Sequence, residues 1–157
     1  MMKINVVCVG KIKEKYYEDA VNEYLKRLTR FAKVTVKELK EVNFNAEPTK
    51  KDIQDILQKE GEEIKKNLSG TVAVLAIEGK GYNSCEFAKL ISAVKDTVGE
   101  LTLVIGGSYG IDDSVKRLAD YKISFSEMTF PHTLTRVILT EQLYRAFTIL
   151  NDGKYHK

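Results

Sequence analysis

Thr71–Ile77 reads TVAVLAI, apolar after its first residue, and is followed by Glu78-Gly-Lys-Gly81. A short run that is apolar at both alternating positions suits a strand covered on both faces, as a central strand of a parallel sheet is. The pattern recurs on either side of it. Lys3–Val9 (KINVVCV) is β-branched and stopped by Gly10, and Leu101–Ile105 runs into Gly106. Val34–Leu39 alternates apolar and polar, and Tyr121–Phe125 supplies a fifth strand. Helical patterns lie between these strands. Glu14–Arg30 sets Tyr17, Ala20, Val21, Tyr24, Leu25 and Leu28 on one face. Thr49 and Asp52 form a capping box for a helix to about Leu68, with Ile53, Ile56, Leu57 and Ile64 inward and Ser69-Gly70 as the stop. Ser84 is expected to cap a helix that buries Phe87, Ala88, Ile91 and Val94. Asp112–Ala119 is a short helix, and the last helix runs from about Thr133 to Leu150. Lys40–Lys51, charged and carrying Pro48, reads as a surface loop. Strands alternating with helices predict an α/β fold: a mainly parallel sheet with helices on both faces.

A chain of 157 residues is expected to form one domain. Hydrophobic residues at 43% and charged residues at 30% argue against disorder. A net charge of +3 permits a polyanionic partner without demanding one. Cys8 and Cys85 match no metal-ligand spacing and suggest no disulfide framework. Ile4–Val9 is too short for a membrane span or the core of a signal peptide. A cytoplasmic protein without metal or membrane attachment is expected. The last helix carries Leu134, Val137, Ile138, Leu139, Leu143, Ala146, Phe147, Ile149 and Leu150, leaving little of its circumference polar. Such a helix needs cover on more than one side, and a two-fold homodimer is the commonest source.

Candidate chemistry gathers beyond the strand ends, where open α/β sheets bind ligands. Ile105-Gly-Gly-Ser-Tyr-Gly110 is a strand-to-helix turn, yet it is neither the dinucleotide fingerprint nor a P-loop. Glu78-Gly-Lys-Gly81 reads as a second glycine turn, whose Glu78 is a ribose acceptor or a solvated turn residue. Phe125–Pro131 (FSEMTFP) offers backbone groups and apolar walls suited to an adenine ring, or else a core connection. His132 and Arg136, four apart, share a helix face. Histidine accepts protons near neutral pH and arginine grips phosphate. An unpaired charge on an apolar helix would be costly. Arg145 is expected to pair with Glu141 one turn earlier. Tyr155-His156-Lys157 is a frayed tail or a reach towards a nucleobase.

Taken together, VGKIKEKYY (9–17), KEGEEI (59–64), IEGKG (77–81), IGGSYG (105–110), FSEMTFPHTLTRVILTEQLYRAF (125–147) and YHK (155–157) resemble the ribosomal RNA large-subunit methyltransferase H family, a branch of the SPOUT methyltransferases. The resemblance covers essentially the whole chain. It implies a single domain over residues 1–157 with a trefoil knot in roughly 71–157, an exception to the rule that chains are unknotted. It implies a homodimer with S-adenosylmethionine sites near the interface. The cofactor positions fall on Leu75, Gly106, Phe125, Ser126, Glu127, Met128, Thr129 and Phe130. His132, Arg136, Tyr155 and His156 fall around the substrate, with the tail reaching the partner's site. Ser108 and Tyr109 are given no role. The implied reaction methylates N-3 of a pseudouridine in large-subunit (23S) ribosomal RNA on assembled ribosomes. The protein's tasks would be to align donor and acceptor and to help the imide nitrogen lose its proton. Either His132 or His156 could accept that proton. Arg136 would hold phosphate or developing negative charge. A non-enzymatic nucleotide- or RNA-binding module and a purely structural dimer are the competing classes.

Overall fold

The computed structural model describes residues 1–44 and 46–157. Among the described residues ten elements alternate strictly: β1 (Met2–Val9), α1 (Lys15–Leu28), β2 (Ala32–Leu39), α2 (Lys50–Lys65), β3 (Thr71–Gly81), α3 (Ser84–Thr97), β4 (Glu100–Ile105), α4 (Asp113–Leu118), β5 (Tyr121–Ser124) and α5 (His132–Leu150). The strands form one parallel sheet in the order β2-β1-β4-β3-β5. Parallel pairing explains why β1, β4 and the first half of β3 are apolar at consecutive positions: helices cover both faces.

Alternate side chains of β1, β3 and β4 feed two separate cores. Ile4, Val6 and Cys8 with Leu101, Leu103, Ile105 and Ala73 pack under α1, α3 and α5. Val7, Val9, Val72, Val74 and Val104 pack with Ile64 of α2 and Val115 of α4 on the other face. Removing one such fully buried leucine side chain to alanine costs about 2–5 kcal/mol in proteins generally. Edge strand β2 keeps the alternation its sequence showed, because one side of it faces solvent.

The capping box at Thr49 and Asp52 is present: Asp52 N–H donates to Thr49 Oγ1 (3.2 Å), and Thr49 N–H donates to Asp52 Oδ2 (2.9 Å). The expected surface loop is found over residues 40–44 and 46–49, Asn45 lying outside the described residues, but its last two residues, Lys50 and Lys51, already belong to α2.

Two expectations are corrected. The cap of α3 is Asn83 rather than Ser84, because Asn83 and Glu86 satisfy each other's backbone N–H groups (2.8 and 2.9 Å). Ser84 instead donates its hydroxyl to Gln142 Oε1 of α5 at 2.8 Å. The segment Glu78–Gly81 is no turn. β3 bulges outward after Leu75 and rejoins β5 at Lys80, so that Ile123 is opposite both residues. Gly79 makes this pass feasible, since a Cβ there would stand 2.7 Å from the carbonyl carbon and oxygen of Lys122.

Every residue of α5 is buried or half-buried within the single chain, which flanks the helix with α1 and α3. Phe31 stacks on Phe147 (5.7 Å between centroids), and Tyr144 packs by Tyr24. Much of the cover that its apolar sequence demands is therefore supplied internally.

Candidate active site

A cleft of about 830 Å³ opens at the carboxyl edge of β3, β4 and β5. Its position follows from topology: three neighbouring parallel strands end there, and their following loops diverge. The bulge of β3 contributes Ala76, Ile77 and Glu78, the turn after β4 contributes Gly106–Ile111, and the segment after β5 contributes Phe125, Ser126 and Met128–His132. Its size is that of a pocket for a nucleoside-sized ligand.

The turn after β4 doubles back tightly. A Cβ on Gly106 would lie 2.4 Å from the Gly110 carbonyl oxygen, so only glycine allows the loop to close. Gly110 N–H donates to Gly107 O at 3.1 Å and fixes the closure. The third wall is held by its own serines. Ser124 Oγ donates to Ser126 O at 3.0 Å, and Met128 N–H donates to Ser126 Oγ at 3.0 Å. At the mouth, Lys116 of α4 forms an ion pair with Glu78, and that hydrogen bond holds the Glu78 carboxyl below its usual pKa.

Of the expected cofactor positions, Leu75, Gly106, Phe125, Ser126, Met128, Thr129 and Phe130 line the cleft; Glu127 is exposed and does not. His132 stands at the end of the cleft nearest β1, where a Cβ on Gly10 would lie 3.5 Å from its Nε2. Arg136, one turn on, is 3% exposed and lies outside the cleft lining. Its Nη1 donates to Glu38 Oε2 at 2.7 Å and its Nη2 to Gly10 O at 3.2 Å. The shared helix face is thus real: both residues bear on Gly10, His132 from the cleft and Arg136 from below. Cys8, near the end of β1 and two residues before Gly10, is fully buried, and burial pushes its thiol up to about 11.

Tyr155 and His156 do not line the cleft. They gather around the second half of α5. Tyr155 OH donates to Glu141 Oε1 (3.0 Å), and its ring packs edge-on to Tyr144 (4.8 Å) under the Arg145 guanidinium (4.7 Å). His156 Nδ1 lies 3.2 Å from Arg145 Nη1, and its Nε2 lies 3.8 Å from Cys85 Sγ. Arg145 and Glu141 form the expected ion pair, at 2.5 Å. Burial raises the Tyr155 phenol above its ordinary pKa, and its hydrogen-bonded neighbours add to the effect.

Sequence reasoning missed Gly10, Glu38, Glu41 and Lys116. Ser108 Oγ donates to Glu41 Oε1 at 2.8 Å, which joins the glycine turn to the segment after β2. These residues come from a distant strand, two loops and helix α4, and no local spacing links them. Among the described residues, no helix is long and apolar enough to cross a membrane, and no group of three or more His, Cys, Asp or Glu could hold a metal ion.

The family model described as "Predicted SPOUT methyltransferase" matches residues 2–156. The chain belongs to the SPOUT methyltransferase family. Relatives match it over 99% of its length. The ribosomal RNA large subunit methyltransferase H of Lactobacillus acidophilus is 45% identical over 160 residues, covering 99% of this chain and 100% of its own. The protein of that name from Streptococcus pneumoniae gives the same figures: 45% identity, 99% and 100% coverage. A Methanococcus vannielii protein, given the name provisionally, is 46% identical over 159 residues with the same coverage. Among solved structures, the SpoU methyltransferase AviRb of Streptomyces viridochromogenes, in complex with the cofactor AdoMet, aligns with a TM-score of 0.47 and 12% identity. That alignment covers 96% of this chain and 58% of AviRb.

Proposed function

We propose that this SPOUT methyltransferase binds S-adenosylmethionine in the strand-end cleft and methylates N-3 of a pseudouridine in large-subunit ribosomal RNA on assembled ribosomes. The observation that carries the reading is the cleft itself: backbone-rich walls at Gly106–Ile111 and Phe125–Pro131, with a histidine at one end. The lining fits the cofactor. Leu75, Ile105, Ile123 and Phe125 supply apolar walls for a purine, while Gly106, Gly107 and Gly110 let the backbone of the turn border the cleft closely, Ser108 and Tyr109 being the side chains it adds to the lining. Glu78, ionised by its pairing with Lys116, is placed to accept from ribose hydroxyls at the mouth. The bound cofactor would supply a methyl group on a positively charged sulfur, already activated for transfer.

What remains for the protein is alignment and proton removal. His132, at the Gly10 end of the cleft, is the residue of this chain placed to take the proton from the imide nitrogen. Arg136 acts from beneath. With both terminal nitrogens engaged by Glu38 and Gly10, it is not free to grip phosphate; it fixes the Gly10 backbone against which His132 rests. Tyr155 and His156 complete the substrate site in a homodimer, where the tail of one subunit serves the cleft of the other; this is why they stand apart from the cleft of their own chain. The same reading places residues 1–157 in one domain, knotted within 71–157, acting in the cytoplasm where ribosomes are.

Calorimetry with S-adenosylmethionine tests the site: one cofactor per cleft is expected, and no binding would refute it. Sedimentation at micromolar concentration tests the dimer, and a stable monomer with full activity would refute the shared site. Deleting 155–157 should abolish transfer while leaving cofactor affinity within about twofold, the signature of a lost substrate contact.

A further inference from the structure

Helix α2 turns a carboxylate into the protein. Glu60 is 4% exposed, whereas Glu62 and Glu63 beside it are exposed. Carboxylates are rarely buried this deeply unless fully partnered. Glu60 is only half partnered: Oε2 accepts from the Val42 N–H at 3.1 Å, and Oε1 has no partner among the described residues. That free oxygen lies against the glycine turn, 3.3 Å from where a Cβ on Gly107 would stand. The next residue of α2, Gly61, meets the other end of the same segment, with its own Cβ position 3.1 Å from Asp112 Cβ. Asp112 caps α4. Glu60-Gly61 therefore cradles both ends of segment 107–112 from beneath.

The segment held by Glu60 is itself fastened to the turn. Glu41, next to Val42, accepts from Ser108 Oγ at 2.8 Å, and its Oε2 lies 3.6 Å from the Cβ position of Gly10, beside His132. One buried carboxylate is thus connected, through two short contacts, to both the glycine wall of the cleft and the edge where His132 stands. An apolar residue at position 60 would serve the fold at lower cost, since a half-satisfied buried carboxylate destabilises the folded state. Burial raises the Glu60 carboxyl's pKa, the Val42 N–H opposes that shift, and the Glu41 charge adds to it. Residues that break a folding rule in this way concentrate where function requires them.

We propose that Glu60 is a positioning residue of the cleft: without touching the ligand, it sets the height of the 106–110 turn and of segment 41–42, and thereby the affinity for cofactor. The inference rests on reading the cleft as the S-adenosylmethionine site. It is tested by titrating S-adenosylmethionine and S-adenosylhomocysteine into the intact wild type, Glu60→Met, Glu60→Gln and Glu41→Ala proteins, with kcat and KM measured on ribosomes. Glu60→Met fills the space without offering an acceptor; it should raise Kd and the cofactor KM about tenfold while kcat at saturating cofactor stays within about twofold, the pattern of lost uniform binding. Glu60→Gln retains an acceptor for Val42 N–H and should recover most of the loss. Wild-type affinity in Glu60→Met, or a fall in kcat with affinity intact, overturns the proposal. Should Glu60→Met fail to fold, Glu41→Ala decides, because it opens the Ser108 clasp without disturbing the core. A rise in its Kd of about threefold or more supports the proposal, and a smaller change overturns it. A wild-type protein that binds neither compound refutes the cofactor-site reading itself; binding in the wild type with unchanged variants refutes only the role of Glu60.

Discussion

Replacing Arg136 by methionine removes the guanidinium while keeping most of the side-chain length. Two contacts disappear: the charge-assisted bond to Glu38 at 2.7 Å and the bond to the Gly10 carbonyl at 3.2 Å. Breaking a fully buried ion pair from one side costs about 3–5 kcal/mol. The Glu38 side chain is 35% exposed, so water can resolvate it and the loss falls to about 2 kcal/mol. The stranded Gly10 carbonyl adds about 1 kcal/mol. The total, about 3 kcal/mol, corresponds to a fall in Tm of roughly 6–12 °C for a chain of this size. Urea unfolding followed by circular dichroism should show a lower midpoint with an unchanged slope. Arg136→Lys keeps the charge but cannot span both acceptors, so it should lie between the two. Methyl transfer by folded Arg136→Met should fall sharply, because Gly10 and His132 lose their support. A stability loss below about 1 kcal/mol would refute the ion-pair reasoning. Near-normal turnover would refute the assigned role.

Three further outcomes are expected. At pH 8 a thiol reagent should label Cys85 quickly and Cys8 only on unfolding, because Cys85 is exposed while Cys8 is buried with its thiol pushed up to about 11; two fast labels by mass spectrometry would contradict this. The raised Glu60 carboxyl means that the folded state binds its proton more tightly than the unfolded chain does, so Glu60 lowers stability as pH rises from the unfolded to the folded pKa. The stability difference between Glu60→Gln and wild type should therefore move in favour of glutamine from pH 4 to pH 8, and a gap constant across urea melts would sink the burial argument. Glu78 behaves oppositely: its lowered carboxyl keeps the Lys116 pair intact above the ordinary carboxylate pKa and loses it as pH falls through the lowered one. Cofactor affinity should weaken across that acid range in wild type and not in Glu78→Gln; parallel profiles would contradict a part for Glu78 in binding.

The layered fold was legible because each level of the sequence agreed with the others. TVAVLAI and KINVVCV have the composition of strands buried on both faces, and Thr49 with Asp52 marks a helix start by a purely local exchange. Local signals also explain the errors. Asn83 and Ser84 are both good caps, and only the reciprocal bond with Glu86 chooses between them. The glycines at 79 and 81 read as a turn, yet Gly79 serves a close passage against Lys122, a neighbour 43 positions away that periodicity cannot show. The site was legible in its loops and less so in its supports. Glu38 meets Arg136 across 98 positions, and Glu60 sits in a run of acidic residues that looks like an ordinary solvated helix face. An apolar circumference for α5 was correctly read, but the chain's own α1 and α3 cover much of it, so that pattern alone does not require a second subunit.

The most direct measurement is incubation of the protein with methyl-labelled S-adenosylmethionine and ribosomes isolated from cells lacking the modification, followed by digestion and mass analysis of the large-subunit RNA. Label should enter a single pseudouridine, at N-3, and free large-subunit RNA should be a far poorer acceptor than assembled ribosomes. Ribosomes that remain unlabelled while the protein binds the cofactor, or label on a carbon or a ribose oxygen, would contradict the proposed reaction.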